Sequence, residues 1–255
     1  MNEYRMSRKQ EKSVSENEEI ASIGPNRSFA MEEAHKRLRT NVFFSFAGEN
    51  SSRVIGITST VAHEGKSTTS INLAYDIMKA GKKVLLIDAD MRLSNMARTL
   101  SLRFSPGLSN ILVGDNNGEG LVQKVALLEN LSVICCGDIP PNPTELLSSQ
   151  RIGVLLETLK KSYDYIIVDL PPVSDVSDAL ILSKLTDGMI VVVRQGHAEK
   201  KLLHDTVRQL KNNGARIIGF VMNGTRETGR YYYNKYRRKK YAYGAYIYRQ
   251  YGDKK

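Results

Sequence analysis

The sequence predicts an α/β fold in which a doubly wound, mainly parallel sheet is flanked by helices. Short apolar runs of strand length alternate with longer helical segments along most of the 255 residues, which is typical of a parallel sheet covered on both faces. One apolar run leads into a Gly-Lys-Ser turn and then a helix, and two others end in aspartates. With 41% hydrophobic residues, the chain can bury a full core.

The predicted elements follow in order along the chain. Residues 1–26 are polar, charged and rich in serine, which predicts a disordered segment. A helix is predicted over 28–46 because Ala34, Leu38 and Val42 recur at a spacing of four. Strands are then predicted at 54–58, 83–88, 131–136, 164–169, 188–194 and 215–222, and helices at 66–80, 142–161, 176–186 and 198–213. A turn that leads into a short helix is predicted over 105–112. Residues 27–225 are therefore predicted to form one domain.

Composition excludes several classes of protein. The two cysteines, Cys135 and Cys136, are adjacent in an apolar run and indicate buried thiols of a reduced protein, not a disulfide scaffold. The four histidines have no spacing typical of a metal site. No apolar run approaches the length of about 18 residues that a membrane-spanning helix needs, so we expect a cytoplasmic protein.

The stretch from Thr58 to Thr69 is predicted to bind nucleotide phosphates. A strand, a tight turn and a helix in this order direct main-chain N–H groups and the positive end of the helix dipole towards one point. Lys66 would reach the β- and γ-phosphates, and the Ser67 hydroxyl would bind Mg²⁺. Thr60 replaces the first glycine of the usual pattern. The predicted nucleotide-binding residues are Thr60, Val61, Ala62, His63, Glu64, Gly65, Lys66, Ser67 and Thr68.

Three aspartates follow two other predicted strands. Asp88 and Asp90 come at the end of one strand, and Asp169 ends another. Because ligands bind at the carboxyl ends of the strands of an open parallel sheet, these acids and the phosphate loop are expected at one edge. Carboxylates and a hydroxyl are the oxygen ligands that suit Mg²⁺. The predicted metal ligands are Ser67, Asp88, Asp90 and Asp169.

The last thirty residues differ in composition from the rest of the chain. Residues 226–255 hold ten Lys or Arg against Glu227 and Asp253, a balance of +8 out of the net +10. They also contain nine of the thirteen tyrosines and almost no aliphatic residues, which predicts a mobile tail. Such a tail could stack on nucleic-acid bases, lie on anionic lipid, serve as a phosphorylation substrate or simply be solvated.

Three motifs taken together resemble the cytoplasmic catalytic domain of bacterial tyrosine kinases. They are the loop at 58–69, Asp88-Ala-Asp-Met-Arg92 and Ile167-Val-Asp-Leu-Pro-Pro172, and the tyrosine cluster accompanies them. The similarity is to the capsular and exopolysaccharide type that occurs as a separate cytosolic chain in Gram-positive bacteria, and it covers residues 28–251. None of the signatures of eukaryotic protein kinases is present.

The resemblance implies the fold of P-loop ATPases and a protein-tyrosine kinase that uses ATP and Mg²⁺. Lys66, Asp88, Asp90 and Asp169 would be catalytic, with Asp88 and Asp90 in the Walker A′ motif and Asp169 in Walker B. Either Asp88 or Asp90 would accept the proton of the tyrosine hydroxyl. The enzyme would autophosphorylate its tail between protomers and regulate capsular or exopolysaccharide synthesis and export. The phosphorylated residues would be Tyr231, Tyr232, Tyr233, Tyr236, Tyr241, Tyr243, Tyr246, Tyr248 and Tyr251.

The resemblance also implies partners. A transmembrane modulator of the chain-length-regulator type would recruit the cytoplasmic protein to the inner face of the membrane, and a cognate tyrosine phosphatase would reverse the reaction. Glu33, Lys36 and Arg39 match the family's oligomerisation motif and would join protomers into a ring, such as an octamer, although Lys36 replaces an arginine and cannot form a bidentate fork. No nucleic-acid partner is expected.

Two other functions are compatible with a phosphate loop. A partitioning ATPase would carry a lysine five residues before Lys66, where this chain has Val61, and would lack the tyrosine cluster. A nucleotide-gated adaptor would bind ATP and regulate a polysaccharide polymerase without transferring phosphate. Incubation with Mg-ATP followed by detection of phosphotyrosine separates these alternatives from a kinase.

Overall fold

A seven-stranded sheet lies at the centre of the part of the chain that the computed structural model describes, residues 22–48, 51–115, 118–129 and 131–225. The strand order is β3-β4-β2-β5-β1-β6-β7. Only β3 runs antiparallel to its neighbour, while the other pairs are parallel. The strands are β1 (Arg53–Ser59), β2 (Val84–Asp88), β3 (Gln123–Val125), β4 (Leu131–Ile134), β5 (Tyr165–Asp169), β6 (Gly188–Arg194) and β7 (Ile217–Asn223).

Helices cover both faces of this sheet. They are α1 (Phe29–Ser45), α2 (Lys66–Lys79), α3 (Met96–Thr99), α4 (Leu108–Val113), α5 (Pro143–Ser148), α6 (Gln150–Lys160), α7 (Asp178–Ser183) and α8 (Lys200–Asn212). Helices α1, α2 and α3 share one hydrophobic cluster with the sheet, and α4 to α8 share the other. The mainly parallel, doubly wound fold predicted from the sequence is confirmed.

Burial on both faces explains the continuous apolar strands. Ile55 and Ile57 of β1 pack on the side of α1 and α2, whereas Val54 packs on the opposite side. In β5, Ile167 likewise faces one cluster while Ile166 and Val168 face the other. A strand covered on both sides needs apolar residues at successive positions, which distinguishes it from the alternating pattern of a half-exposed strand.

The structure differs from the predicted helix over 142–161. Two helices, α5 and α6, occupy this range, because Ser149 adopts an extended backbone with φ −71° and ψ 156°. Both the main-chain N–H and the hydroxyl of Ser149 donate to the carbonyl of Leu146, at 3.2 and 2.7 Å. Local bonds of this kind compete with helical hydrogen bonding. The prediction of a single helix was therefore wrong.

Both cysteines lie inside the protein at the end of β4. Cys135 and Cys136 are free thiols with almost no exposed surface. Burial, helped by the negative charge of Asp88, raises the pKa of each thiol to about 12. Since only the thiolate is a strong nucleophile, these are inert core residues, as expected from the sequence.

Two predicted segments fall wholly or mostly outside the described residues. They are the tyrosine-rich tail over 226–255 and residues 1–21 of the N-terminal segment. Gly24–Asn26, at the end of that segment, form a single 3-10 turn. Among the helices that the structure describes, none combines the length and apolarity needed to cross a bilayer.

Candidate active site

The phosphate loop connects strand β1, which lies between β5 and β6, to α2. The residue before α2, Gly65, has φ +88°, in the left-handed region where a side chain is strained. A Cβ atom at this position would lie 2.4 Å from Nδ2 of Asn223. Glycine is therefore required here both by the backbone angle and by the close approach of β7.

The sheet brings the loop and the three aspartates to the same edge. Strand β5 lies between β1 and β2, and Asp169 is the register partner of Ile57 on one side and of Asp88 on the other. The loop leaves β1 just beyond this level, and Asp90 follows β2. All three carboxylates are buried, each at most 3% exposed. Residues that are far apart in sequence thus form one pocket.

Lys66 lies among the carboxylates. Its Nζ atom is 2.8 Å from Oδ2 of Asp90 and 3.6 Å from Oδ2 of Asp169. Burial opposes the charge of this ammonium, but Asp169 and Asp90 together hold the pKa of Lys66 above its ordinary value. Lys66 therefore carries a positive charge at physiological pH.

Asp169 is held by two hydroxyls of the first turn of α2. Ser67 Oγ donates to its Oδ2 at 2.6 Å, and Ser70 Oγ donates to its Oδ1 at 2.9 Å. Burial raises the pKa of Asp169, while Lys66 and the two serines oppose that rise. The direct Ser67–Asp169 contact places a hydroxyl and a carboxylate where they can share one cation.

Asp88 and Asp90 have different surroundings. The Ser94 hydroxyl donates to Oδ2 of Asp88, and the main-chain N–H of Asp90 donates to its Oδ1 at 3.2 Å. Burial and then the charge of Asp169 raise the pKa of Asp88 to about 7. Asp90 instead pairs with Lys66 and accepts the N–H of Leu93 at 3.1 Å. A carboxyl with a pKa near 7 can exchange a proton at physiological pH.

The donor set of the pocket fits a magnesium ion. Three carboxylates face a single ammonium, so the pocket lacks positive charge, and the Ser67 hydroxyl adds a further oxygen. No group of three His, Cys, Asp or Glu residues within the described chain is arranged as a complete metal cage. Mg²⁺ is usually bound by one or two carboxylates together with substrate phosphates, so a partial set of ligands is the expected arrangement.

Several residues of the pocket were missed by sequence reasoning. Ser70 lies one turn beyond Ser67 on the same face of α2, and this i, i+3 spacing could have indicated it. Ser94 lies in an irregular segment and gave no signal. Arg92 donates to Asp178 Oδ2 at 3.2 Å and to Thr144 Oγ1 at 2.8 Å, which ties the Asp90 turn to α5 and α7.

The remaining predicted loop residues have different exposures. Thr60 is fully buried, and its hydroxyl has no hydrogen-bond partner among the described residues. Val61, Ala62 and Thr68 are half-buried and His63 is exposed. The Glu64 side chain is fully buried, and its Oε2 accepts main-chain N–H groups of the loop itself.

The residues of the predicted oligomer motif lie on α1, away from the pocket. Lys36 Nζ is 2.8 Å from Glu32 Oε1 and 3.1 Å from Glu33 Oε1. Arg39 donates to the main-chain carbonyl of Asp76 at 3.2 Å. Within one protomer these side chains therefore have partners of their own, and the nine predicted phosphorylation sites lie outside the described residues.

Comparisons with known proteins identify the family. Residues 52–217 match the protein-family model described as an AAA domain. The chain is 40% identical over 194 residues to the tyrosine-protein kinase CpsD of Streptococcus pneumoniae serotype 4, covering 75% of this chain and 83% of that protein. The chain belongs to the bacterial tyrosine kinase family. Its relatives assign it to the capsule and exopolysaccharide type of these kinases.

Solved structures agree with membership of the bacterial tyrosine kinase family. The kinase domain of the Escherichia coli tyrosine kinase ETK matches with a TM-score of 0.76 and 31% identity, over 81% of this chain and 80% of that one. The septum site-determining protein MinD of Pyrococcus horikoshii, in complex with Mg-ADP, matches with a TM-score of 0.56 and 25% identity, over 69% and 72% of the two chains. The general fold is thus that of P-loop proteins that bind nucleotide and magnesium, and the similarity to the kinase is greater.

Proposed function

We propose that this tyrosine kinase phosphorylates the tyrosines of its own tail between protomers and thereby regulates capsular or exopolysaccharide synthesis and export. The observation that carries the proposal is the pocket in which Lys66, Ser67 and three buried aspartates meet at the carboxyl edge of the sheet. The tail supplies nine tyrosines in a segment with almost no aliphatic residues. A substrate of this kind can present many hydroxyls to one pocket.

Each residue of the pocket has a proposed task. Lys66 and the loop N–H groups bind the β- and γ-phosphates of ATP, and Ser67 and Asp169 hold Mg²⁺. When bound, Mg²⁺ neutralises charge on the phosphates. Asp88 is the better candidate for the proton acceptor, because Asp90 is already paired with Lys66 and with the N–H of Leu93. The remaining task of Asp90 is to orient Lys66.

The proposed reaction is a single phosphoryl transfer. The phenolic oxygen of a tail tyrosine forms a bond to the γ-phosphorus of ATP while the bond between that phosphorus and the β,γ-bridging oxygen breaks. The phenolic proton passes to the Asp88 carboxylate, and ADP leaves with the bridging oxygen. Positioning and electrostatic stabilisation supply most of the catalysis in reactions of this class.

We further propose that the kinase acts as a ring-shaped homo-oligomer and is recruited to the membrane by a transmembrane modulator. A tail that must enter a neighbouring pocket requires protomers side by side, which a ring provides. A cognate tyrosine phosphatase would return the tail to its unmodified state. These partners are suggested by the family, and the octamer is the size that we expect.

A mixing experiment tests transfer between protomers. A full-length Lys66→Met chain supplies tyrosines without activity, and a chain truncated after Thr225 supplies activity without a tail. Incubated together with Mg-ATP, the two should yield phosphotyrosine on the Lys66→Met chain, while that chain alone should yield none. Absence of phosphate on the Lys66→Met chain, with the wild-type protein active in parallel, would contradict transfer between protomers.

A further inference from the structure

The Glu64 carboxylate is buried inside the phosphate loop. Its side chain has no exposed surface, and both of its oxygens accept main-chain hydrogen bonds. Oε2 accepts the N–H of Thr60 at 2.7 Å and the N–H of Val61 at 3.0 Å. Oε1 accepts the N–H of Arg194, at the end of β6, at 3.1 Å. One side chain therefore joins the start of the loop to the neighbouring strand.

These bonds divide the loop into two parts. A buried carboxylate is stable only where donors satisfy it, and here main-chain N–H groups do so. Because the N–H groups of Thr60 and Val61 are directed at Glu64, they are not free to bind a phosphate. The phosphates are left to the second half of the loop and the N-terminus of α2, where N–H groups collect at the positive end of the helix dipole.

Further contacts fix the shape of the loop from outside. Asn223, the last residue of β7, donates from Nδ2 to the carbonyl of Glu64 at 2.9 Å. The Nε2 atom of His197 lies 2.9 Å from the carbonyl of Ala62, which requires this nitrogen to be the donor. Between these tethers His63 has φ +62°, a backbone angle that persists in a non-glycine residue only where its surroundings impose it.

We propose that Glu64 is a positioning residue for the phosphates of the nucleotide. By holding three main-chain N–H groups, it keeps the loop in the conformation that binds the phosphates before the nucleotide arrives. Affinity for ADP and ATP then depends on Glu64, although its carboxylate contacts neither. This inference rests on the proposed nucleotide-binding role of the loop.

The test is the affinity for Mg-ADP of the full-length Glu64→Gln protein, measured by calorimetry. Glutamine keeps the size of the side chain but offers only one acceptor oxygen. Its NH₂ group is a donor, so it would face a main-chain N–H to which it cannot form a hydrogen bond. Loss of the preformed loop should weaken Mg-ADP binding by about tenfold. The rise in melting temperature that saturating Mg-ADP produces should shrink in parallel.

Asp187→Asn is the matched control. The Asp187 carboxylate accepts the N–H of Val54 at 2.7 Å, near the start of β1, whereas the loop leaves the other end of that strand. Both substitutions remove charge from a carboxylate that binds main-chain N–H, so both should lower the melting temperature. Only Glu64→Gln should change the dissociation constant for Mg-ADP.

The possible outcomes separate this inference from the proposed function. Wild-type affinity in Glu64→Gln, or equal weakening in Asp187→Asn, would overturn the positioning role while leaving the loop as the nucleotide site. A wild-type protein that did not bind Mg-ADP would instead sink the proposed function. If Glu64→Gln does not fold, Glu64→Asp decides: it keeps the charge but is too short to reach all three donors, so unchanged affinity would overturn the inference.

Discussion

His35 shows how the surroundings of a single side chain can make stability depend on pH. This histidine on α1 is only 9% exposed, and its Nδ1 has no hydrogen-bond partner among the described residues. Burial and then the nearby charge of Arg27 lower its pKa to about 4, while Asp76 opposes the shift. The folded protein therefore holds a neutral imidazole over a range where an exposed histidine would be protonated.

Stability should consequently fall as the pH drops from about 6.5 to about 4. In that range the unfolded chain binds a proton at His35 and the folded protein does not, so unfolding takes up a proton and acid favours it. The full effect of a shift from 6.5 to about 4 is about 3 kcal/mol. Urea unfolding of His35→Gln at several pH values should show a flatter pH dependence than the wild type.

The matched control is His204→Gln, which replaces an exposed histidine of α8. Its pH dependence should follow that of the wild type. Parallel curves for wild type and His35→Gln would contradict the prediction, because they would assign the acid sensitivity to other groups.

Sequence reasoning at the scale of residues found groups that belong to local patterns. Lys66 and Ser67 belong to a contiguous motif, and the aspartates follow strands whose apolar runs are evident. The contacts that orient these groups were not predictable, because they join distant segments. Ser70 meets Asp169 across 99 positions of sequence, and Asn223 meets Glu64 across 159. No local pattern encodes such an approach.

At the scale of elements, a buried ion pair fastens the N-terminal segment to α2. Arg27 binds both oxygens of Asp76 at 2.8 and 2.6 Å, and the two side chains are 3% and 6% exposed. Asn72 of the same helix accepts the N–H of Gly24 and donates to the carbonyl of Ser22, both at 2.9 Å. The segment that is attached precedes residues 52–217, which match the AAA family, and it holds the helix that begins with Lys66 and Ser67.

Replacing Arg27 with Met should strongly destabilise the protein. The change leaves the Asp76 carboxylate buried without its partner, which typically costs about 3–5 kcal/mol in the free energy of unfolding. Lys79→Met, on the same helix as Asp76, is the control, since it breaks only a half-exposed pair with the distant residue Glu129 and should cost far less. Urea denaturation measures both, and equal effects would show that the Arg27 pair is no more important than a surface contact.

The boundaries of elements were predictable where the apolar pattern is long. The prediction failed where short-range hydrogen bonds determine where a helix ends. Strands β1, β2, β5 and β6 are mostly buried runs, whereas β7 is half-exposed, and the positions of all five agree with the sequence to within about two residues. The break at Ser149 depends on its own bonds to Leu146. Strand β3 is three residues long, too short for a period to be recognised, and it exists because β4 offers a free edge.

At the scale of the whole molecule, the proposed ring depends on three charged residues of α1 that are half-buried within one protomer. Replacing Glu33, Lys36 and Arg39 with alanine should shift the protein towards the monomer, as measured by light scattering. Because Lys36 already contacts Glu32 and Glu33 within its own protomer, the single Lys36→Ala change should have a much smaller effect.

The control for this prediction is a double alanine substitution of Glu157 and Lys160, an ion pair on α6 in which Glu157 is exposed and Lys160 is half-buried. It removes a comparable charge pair from a different helix and should leave the mass unchanged. If the triple α1 variant forms an oligomer of the same mass as the wild type, Glu33, Lys36 and Arg39 do not join protomers and are only part of the solvated surface.

The two buried thiols make the whole chain convenient for site-specific labelling. With their pKa values raised to about 12, Cys135 and Cys136 are almost wholly protonated at neutral pH, whereas an exposed cysteine is a thiolate to a few per cent. The sequence contains no other cysteine. A single cysteine introduced into the tail, for example Gly252→Cys, would therefore not compete with Cys135 or Cys136 for a maleimide dye in the folded protein. The proposed entry of the tail into a neighbouring protomer can thus be tested by fluorescence without first removing a native residue.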